Sequence, residues 1–203
     1  KAASQHRKII NELQDIAMSI RMVPLSATFR KMNRIVHDMS KKLSKEVRLE
    51  IIGEETEVDK NIIECISDPL MHIVRNSIDH GIEPTEERKA KGKPDVGTII
   101  LEAKNVGGDV LIIIKDDGRG LEKRKILDRA KARGLMNRPE SELTDKEIYS
   151  YIFLPGFSTN ENVTEYSGRG VGMDVVAKNI GSIGGTVSVE SIPDKGATIT
   201  LKI

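Results

Sequence analysis

The chain has 203 residues, enough for one domain with a buried core and a short appendage. Its 32 basic and 31 acidic residues give a net charge of +1, which excludes the basic excess typical of a nucleic-acid-binding protein. No apolar run approaches the roughly 20 residues of a membrane helix, no signal peptide is evident, and the single Cys65 excludes an internal disulfide, so we expect a cytoplasmic protein without membrane insertion.

Hydrophobic spacing predicts two helices at the start of the chain, over 5–21 and 25–45. Pro24 separates them, because a proline disfavours helix at the residue before it. A strand over 47–52 follows, rich in the branched residues that favour strands. The first helix lies apart from the remainder of the pattern, and we expect it to belong to a neighbouring helical element.

A longer helix is predicted over about 59–80, and Gly81 ends it as a C-terminal glycine. Pro69 lies inside this stretch and either kinks the helix or begins a new helix capped by Asp68. Pro84 then begins a short charged helix that ends in the turn-rich sequence KGKPDVG.

The second half of the chain predicts two β-hairpins with helices between them. NVGGD joins the strands of the first hairpin, and PDKG joins those of the second. The predicted elements are, in chain order, strands 98–104 and 110–116, helices 122–133, 145–152 and 173–182, and strands 186–191 and 197–203. The whole pattern predicts an α/β fold, a two-layer sandwich of helices packed on one face of a mixed, mostly antiparallel sheet.

The longer helix carries the sequence HIVRNSIDHGIE. At about 100° per residue, four of its polar residues fall within an arc of roughly 100° opposite an apolar side: His72, Asn76, Asp79 and His80. An ordinary solvated face would be built from Lys and Glu, and this one has neither. The face is either a hydrogen-bonded surface network or a site for metal, proton or phosphate chemistry.

The sequence KDDGRG directly follows a predicted strand and contains the pattern D-x-G-x-G. Asp116 at the strand end is placed to accept hydrogen bonds, for example from an exocyclic amine. Gly118 and Gly120 would let the backbone approach a flat ring or turn tightly. A plain turn has the same composition, so the motif alone is a weak signal.

The sequence GRGVGMDVV places Gly168, Gly170 and Gly172 immediately before a predicted helix. Free backbone N–H groups at such a helix start can bind phosphate. The spacing is not the dinucleotide fingerprint, and no P-loop sequence occurs in the chain. The glycines end a long loop over 155–172, and loops of that length are usually functional or disordered. A flexible hinge without a ligand is the alternative.

In this order and spacing, the three motifs resemble the N, G1 and G2 boxes of the GHKL superfamily, which includes gyrase, Hsp90, histidine kinases and MutL. PGFST resembles the F box that precedes the ATP lid of histidine kinases. LMHIVRNSIDHGIEP, KGKP, DDGRG, FLPGFST and SGRGVGMDVV resemble the CheA family of chemotaxis histidine kinases. The resemblance covers 22–203 and implies a Bergerat-type ATP-binding fold with a lid at about 155–172. Residues 1–21 resemble the end of the family's helical dimerisation hairpin.

The resemblance implies roles for individual residues. Asn76 matches the asparagine that binds Mg²⁺ together with the triphosphate of ATP. His72 occupies the position of the water-activating glutamate of gyrase-like ATPases, which favours phosphoryl transfer over hydrolysis; whether it acts as base, metal ligand or both stays open. His80 would donate to phosphate, and Asp116 matches the carboxylate that binds the adenine amino group. The implied catalytic residues are His72, Asn76 and His80, and the implied metal ligands are Asn76 and His72.

The implied nucleotide site is larger than these four residues. Its implied members are Arg75, Asn76, Asp79, His80, Asp116, Gly118, Gly120, Lys125, Ser158, Thr159, Gly168, Arg169, Gly170, Gly172 and Met173. Arg129 lies one turn after Lys125 and is a further phosphate partner, unless both are solvated charges. One departure from histidine kinases concerns the hydroxyl that often follows the glycine of the last hairpin: here Ala197 takes that place, and the nearest hydroxyl is on Thr198.

The resemblance implies transfer of the γ-phosphate of Mg-ATP to a histidine on a separate phosphotransfer domain supplied in trans. The remaining histidines, His6 and His37, do not have the sequence context of an acceptor. Chemoreceptors and a coupling protein would bind through other domains of a homodimer located at receptor arrays. A GHKL-type ATPase clamp and a degenerate nucleotide-binding module are the alternatives; His72 disfavours the first, and the intact set of motifs disfavours the second.

Overall fold

The computed structural model describes the backbone of residues 1–158 and 172–203, and the side chains of all of these except 17–20. Its helices are α1 Ala2–Ile20, α2 Ser26–Lys42, α3 Lys60–Asn76, α4 Thr85–Ala90, α5 Lys123–Ala132, α6 Asp145–Ser150 and α7 Met173–Ser182. Its strands are β1 Met22–Pro24, β2 Val47–Ile52, β3 Glu57–Asp59, β4 Gly97–Val106, β5 Asp109–Asp116, β6 Thr186–Ile192 and β7 Gly196–Lys202. A π-helical turn covers Ser77–Gly81, and 3₁₀ turns cover Glu140–Glu142 and Tyr151–Phe153.

The main sheet has five strands in the order β2-β4-β5-β7-β6. β2 and β4 are parallel, and the other neighbouring pairs are antiparallel. Alternate residues of β4 are buried, namely Ile99, Leu101 and Ala103, so one face of the sheet points into the core. One apolar cluster joins that face to helices α2, α3 and α7. The predicted two-layer α/β fold with a mixed, mostly antiparallel sheet is confirmed.

The sequence did not predict the short antiparallel pair of β1 and β3. Val23 pairs with Val58, which is buried, and the Lys60 N–H donates to the Arg21 carbonyl at 3.0 Å. Strands of three residues are too short to show a period-2 pattern, which is why they were missed. The pair connects the end of α1 to the beginning of α3.

Helix α3 is continuous through Pro69. Asp59 caps its N-terminus by accepting the Asn61 N–H at 2.8 Å. The alternative of a new helix capped by Asp68 is therefore wrong, since Asp68 and Pro69 both lie inside α3. The α-helical turns end at Asn76 rather than near residue 80, and the chain continues into the π-helical turn.

A second apolar cluster packs α5, α6 and the Tyr151–Phe153 turn over the end of the sheet near β6. Its buried members are Ile126, Leu127, Ala130, Ile148, Tyr149, Tyr151, Ile152, Phe157 and Val189. This cluster fixes α5 at a distance from α3, and a cleft opens between the two helices at the end of β5.

Helix α1 contrasts with the rest of the structure. Its large apolar residues Ile9, Ile10, Leu13 and Ile16 are 52–60% exposed. Among the described residues, none of the helices combines the length and apolar character that crossing a membrane requires.

Gly196→Ala is expected to destabilise the fold strongly. Gly196 has a φ of +119°, and a Cβ there would lie 1.9 Å from the Asp116 carbonyl oxygen. Backbone strain and overpacking together should lower the free energy of unfolding by about 3 kcal/mol or more. The matched control is Gly108→Ala, since Gly108 has a φ of +88° but open space where its Cβ would lie. This control should cost about 1 kcal/mol. Urea denaturation measures both, and equal losses would contradict a role for close packing at Gly196.

Candidate functional site

The polar residues of the motifs meet in a cleft of about 450 Å³ between the end of α3, the β5–α5 connection, α5 and β7. The predicted residues that line it are Asn76, Asp79, His80, Asp116, Gly120, Lys125, Ser158 and Met173, together with Arg129. His72, Arg75, Gly118 and Gly172 are not among the lining residues. Thr159, Gly168, Arg169 and Gly170 lie outside the described residues, as does most of the predicted lid over 155–172.

The π-helical turn sets the direction of the polar face at the end of α3. Its wider backbone ring is closed by the Ile82 N–H, which donates to the Ser77 carbonyl at 2.7 Å. The Lys45 ammonium donates to the carbonyls of Ile78 and Asp79, each at 2.8 Å, and so satisfies acceptors at the end of the helix. Burial lowers the pKa of Lys45, and the Asp79 charge opposes that shift. Such turns often occur at functional sites.

His72 supports Asn76 from below the cleft. His72 is 8% exposed, and its Nε2 lies 3.1 Å from Asn76 Nδ2. Burial lowers the pKa of His72, and the nearby Arg75 charge adds to the shift. A neutral ring with its proton on Nδ1 would accept the Asn76 amide hydrogen at Nε2. The same amide nitrogen also donates to Met173 Sδ at 3.5 Å. Both contacts use the nitrogen, which leaves the Asn76 Oδ1 to accept from a ligand or bind a cation.

Asp116 lies at the opposite part of the cleft, at the end of β5. It is 6% exposed, and its Oδ1 accepts the Gly118 N–H at 2.9 Å. Burial raises the pKa of Asp116, while hydrogen bonds from the Gly118 and Ala197 backbone and from the Ser77 hydroxyl oppose the rise. A buried carboxylate with spare lone pairs is a strong acceptor for an N–H donor.

The loop after Asp116 lies directly on the π-helical turn. The Arg119 N–H donates to the Gly81 carbonyl at 2.9 Å. A Cβ on Gly118 would lie 2.1 Å from that carbonyl oxygen, so only glycine allows this close approach. Gly118 therefore contributes to the cleft through its backbone, without lining it.

Cationic groups lie along α5 on the far side of the cleft. Lys125 forms an exposed ion pair with Glu122 at 3.1 Å. The Arg129 guanidinium lies over the Phe157 ring, 5.5 Å from its centroid. Both residues line the cleft, although the Lys125 side chain is 78% exposed, so their role as phosphate partners stays a prediction. Met173, the first residue of α7, brings the start of that helix to the cleft.

Sequence reasoning missed several lining residues, including Ser77, Arg119, Glu122, Ile152, Phe157 and Ile199. Ser77 and Arg119 lie inside recognised motifs, but neither residue type signals ligand binding by itself. Ala197 lines the cleft and Thr198 does not, as expected for neighbours on opposite faces of a strand. Within the described ranges, no group of three or more His, Cys, Asp or Glu side chains could hold a metal ion.

The chain is similar to chemotaxis proteins that are much longer than it. It is 45% identical over 197 residues to the chemotaxis protein CheA of Bacillus subtilis, covering 97% of this chain and 29% of that protein. It is 48% identical over 198 residues to CheA of Klebsiella aerogenes, covering 98% of this chain and 30% of that protein. The chain thus spans less than a third of the length of these relatives.

Solved structures show the same fold at low identity. The catalytic domain of the histidine kinase ThkA superposes with a TM-score of 0.54 at 18% identity, covering 90% of this chain and 92% of that one. The histidine kinase domain of the blue-light activated kinase of Erythrobacter litoralis EL346 gives a TM-score of 0.52 at 15% identity, covering 89% and 65%. The sequence profile described as "Histidine kinase-, DNA gyrase B-, and HSP90-like ATPase" matches residues 65–203. The chain is an ATP-binding domain that belongs to this family of histidine kinase-, DNA gyrase B- and HSP90-like ATPases.

Proposed function

We propose that the chain is the catalytic core of a CheA-like chemotaxis histidine kinase, which transfers the γ-phosphate of Mg-ATP to a histidine on a separate phosphotransfer domain. The proposal depends on one observation: Asp116 and Asn76 line the same cleft, and His72 holds the Asn76 amide in a fixed orientation. The similarity to CheA proteins over nearly the whole chain supports it.

Asp116 is the proposed partner of the adenine amino group. Its carboxylate is buried in a cleft whose other lining includes the apolar side chains of Ile73, Ile126 and Ile199. Apolar walls suit a flat base, and one buried acceptor gives the base a defined orientation. The Ala197 backbone donates a hydrogen bond to the carboxylate and so helps to hold it.

The triphosphate would lie toward Asn76, His80, Lys125 and Arg129. Asn76 fits a magnesium ligand because its amide oxygen is left for a cation once the nitrogen is bound to His72 and Met173. The ion would neutralise charge on the phosphates during transfer. Asn76 would supply only one ligand, so phosphate oxygens and water would complete the shell, which agrees with the lack of a larger acidic cluster in the described part of the chain.

His72 is proposed to orient Asn76 rather than to activate water. It does not line the cleft, and its Nε2 is engaged with the Asn76 amide. Because His72 does not face the cleft as a water-activating base, the site favours transfer of phosphate to an acceptor over hydrolysis of ATP. His6 and His37 are exposed on α1 and α2 and do not line the cleft, so the acceptor would come from another domain.

The proposal extends to the longer protein. The exposed apolar residues of α1 suit the end of a helical dimerisation hairpin over 1–21, with the kinase domain over 22–203. A homodimer with phosphotransfer, receptor-binding and coupling-protein-binding parts, located in the cytoplasm at receptor arrays, fits relatives more than three times as long.

Phosphotransfer tests the proposal directly. The chain is incubated with γ-labelled ATP, Mg²⁺ and an isolated phosphotransfer domain, and the same domain with its acceptor histidine replaced by glutamine is the control. We expect acid-labile, alkali-stable label on the histidine-containing domain alone. ATP hydrolysis without labelling would instead identify a GHKL-type ATPase, and binding without turnover would identify a degenerate module.

Asn76→Ala is expected to remove the magnesium dependence of ATP binding. The native chain should bind ATP roughly tenfold more tightly with Mg²⁺ than without it, because one contact to a charged group contributes about that much to affinity. The variant should bind ATP equally in both conditions. Calorimetric titration measures the four affinities, with Asn61→Ala, an exposed asparagine at the other end of α3, as the control. A magnesium effect that survives in Asn76→Ala would exclude Asn76 as the ligand.

Asp116→Asn is expected to weaken ATP binding by up to roughly tenfold, the contribution of a hydrogen bond to a charged acceptor, and to stabilise the fold relative to the native chain at higher pH. Burial raises the pKa of Asp116, so between its ordinary and raised values the folded chain holds a proton that the unfolded chain has lost. Native stability falls as pH rises through that interval, and the variant lacks this loss. The variant-minus-native difference in unfolding free energy should therefore increase from about pH 4 upward.

Urea denaturation at a series of pH values measures that difference. Asp128→Asn removes an exposed carboxyl from α5 and is the control. A difference for Asp116→Asn that stays constant or decreases with pH would show that burial does not raise the pKa of this carboxyl.

A further inference from the structure

A charged network lies behind the cleft, against the loop that follows Asp116. Arg88 and Glu83 are 0% and 1% exposed and pair at 3.0 Å. Lys93 Nζ donates to Glu83 Oε2 at 2.7 Å. Burial would raise the pKa of Glu83, but the hydrogen bond and charge of Lys93, with Arg88, hold it below the ordinary value. The carboxylate thus stays ionised and keeps both cations beside the loop.

Both cations bind the same backbone oxygen. Arg88 Nη1 and Lys93 Nζ each donate to the Asp117 carbonyl at 3.2 Å. Lys93 also donates to the Gly118 carbonyl at 2.9 Å. Together with Glu83, these acceptors use all three hydrogens of the Lys93 ammonium.

The Asp117 carbonyl belongs to the same peptide plane as the Gly118 N–H, which donates to Asp116 Oδ1 at 2.9 Å. A peptide group is planar, so fixing its carbonyl also fixes the direction of its N–H. Two cations on the carbonyl also polarise the peptide and strengthen the N–H as a donor. The charge network is therefore connected to the Asp116 carboxylate through a single rigid group.

We infer that Lys93 is a positioning residue for base recognition: it holds the Asp117–Gly118 peptide and so orients the Asp116 carboxylate toward the amino group of the bound base. This inference rests on the proposed function and deepens it. Lys93 does not line the cleft and would act without touching the nucleotide.

Lys93 is a better test position than Arg88. Arg88 is fully buried and also donates to the Pro94 carbonyl at 2.7 Å and to Asp117 Oδ2 at 3.1 Å, so its loss would leave several buried groups unpaired. The Lys93 side chain is partly accessible, and Glu83 retains Arg88 and Lys91 when Lys93 is changed. Lys93→Met keeps the length of the apolar stem and removes only the ammonium.

The readout is the preference for ATP over purine riboside triphosphate, which lacks only the amino group. Calorimetric titration with both nucleotides and Mg²⁺ should give the native chain a preference of roughly tenfold or more, the worth of a hydrogen bond to a charged acceptor. Lys93→Met should reduce this preference by about threefold or more. A general loss of structure would weaken both nucleotides equally and leave their ratio unchanged.

The matched control is Lys91→Met. Lys91 shares the Glu83 carboxylate at 3.5 Å, but its nearest partner is Asp194 at 2.8 Å rather than the loop carbonyls. The Lys91→Met variant should prefer ATP over purine riboside triphosphate as strongly as the native chain does. If Lys93→Met does not fold, Lys93→Gln, whose amide can still donate to one carbonyl, replaces it and should show a smaller reduction.

An unchanged ratio in the Lys93 variant, or an equal reduction in Lys91→Met, would overturn the inference. A native chain that binds both nucleotides equally would overturn it as well, because Asp116 would then not read the amino group. A native chain that binds neither would refute the proposed function itself, which separates the two failures.

Discussion

The contact between the loop after Asp116 and the π-helical turn at Gly81 is the constraint on which the site depends. It joins the end of β5 to the end of α3, and it exists because Gly118 has no side chain to hold the two backbones apart. With this contact in place, the carboxylate from the sheet and the amide from the helix face one cleft. A bulkier residue at this point would separate the two halves of the site rather than alter either one.

The sequence predicted most elements of the fold, because the relevant signals are local, but only some of the residues that line the cleft. A few adjacent residues are enough to predict an element: alternating apolar residues indicate strand β4, and the glycines between β4 and β5 indicate a turn. The π-helical turn was not predictable in that way, because a contact from Lys45, over 30 residues earlier in the chain, helps to stabilise it. The π-helical turn also changes the direction of the side chains that follow it. A regular helical wheel places His72 and His80 on one face, whereas in the structure His72 is buried beneath Asn76 and His80 is exposed.

Arg88 shows a second limit of sequence reasoning. The charged segment after Pro84 has the composition of a solvated helix, and a charged residue is almost never fully buried without a partner. The structure buries Arg88 completely because Glu83, Asp117 and the Pro94 carbonyl together satisfy its donors. Asp117 lies 29 residues from Arg88 in the chain, so no local pattern could have identified the complete set of partners. The acidic and basic residues of this segment therefore include members of a buried network as well as surface residues.

The burial of Asp116 also has a consequence for the heat of binding. Because burial raises the pKa of this carboxyl, part of the free protein carries a proton there at pH values just above the ordinary carboxyl pKa. A bound group that donates a hydrogen bond to the carboxylate favours its ionised form, so that proton is released to the solvent on binding. The enthalpy observed for nucleotide binding then includes the protonation of the buffer, and it should differ between buffers of small and large ionisation enthalpy although the affinity at that pH is the same.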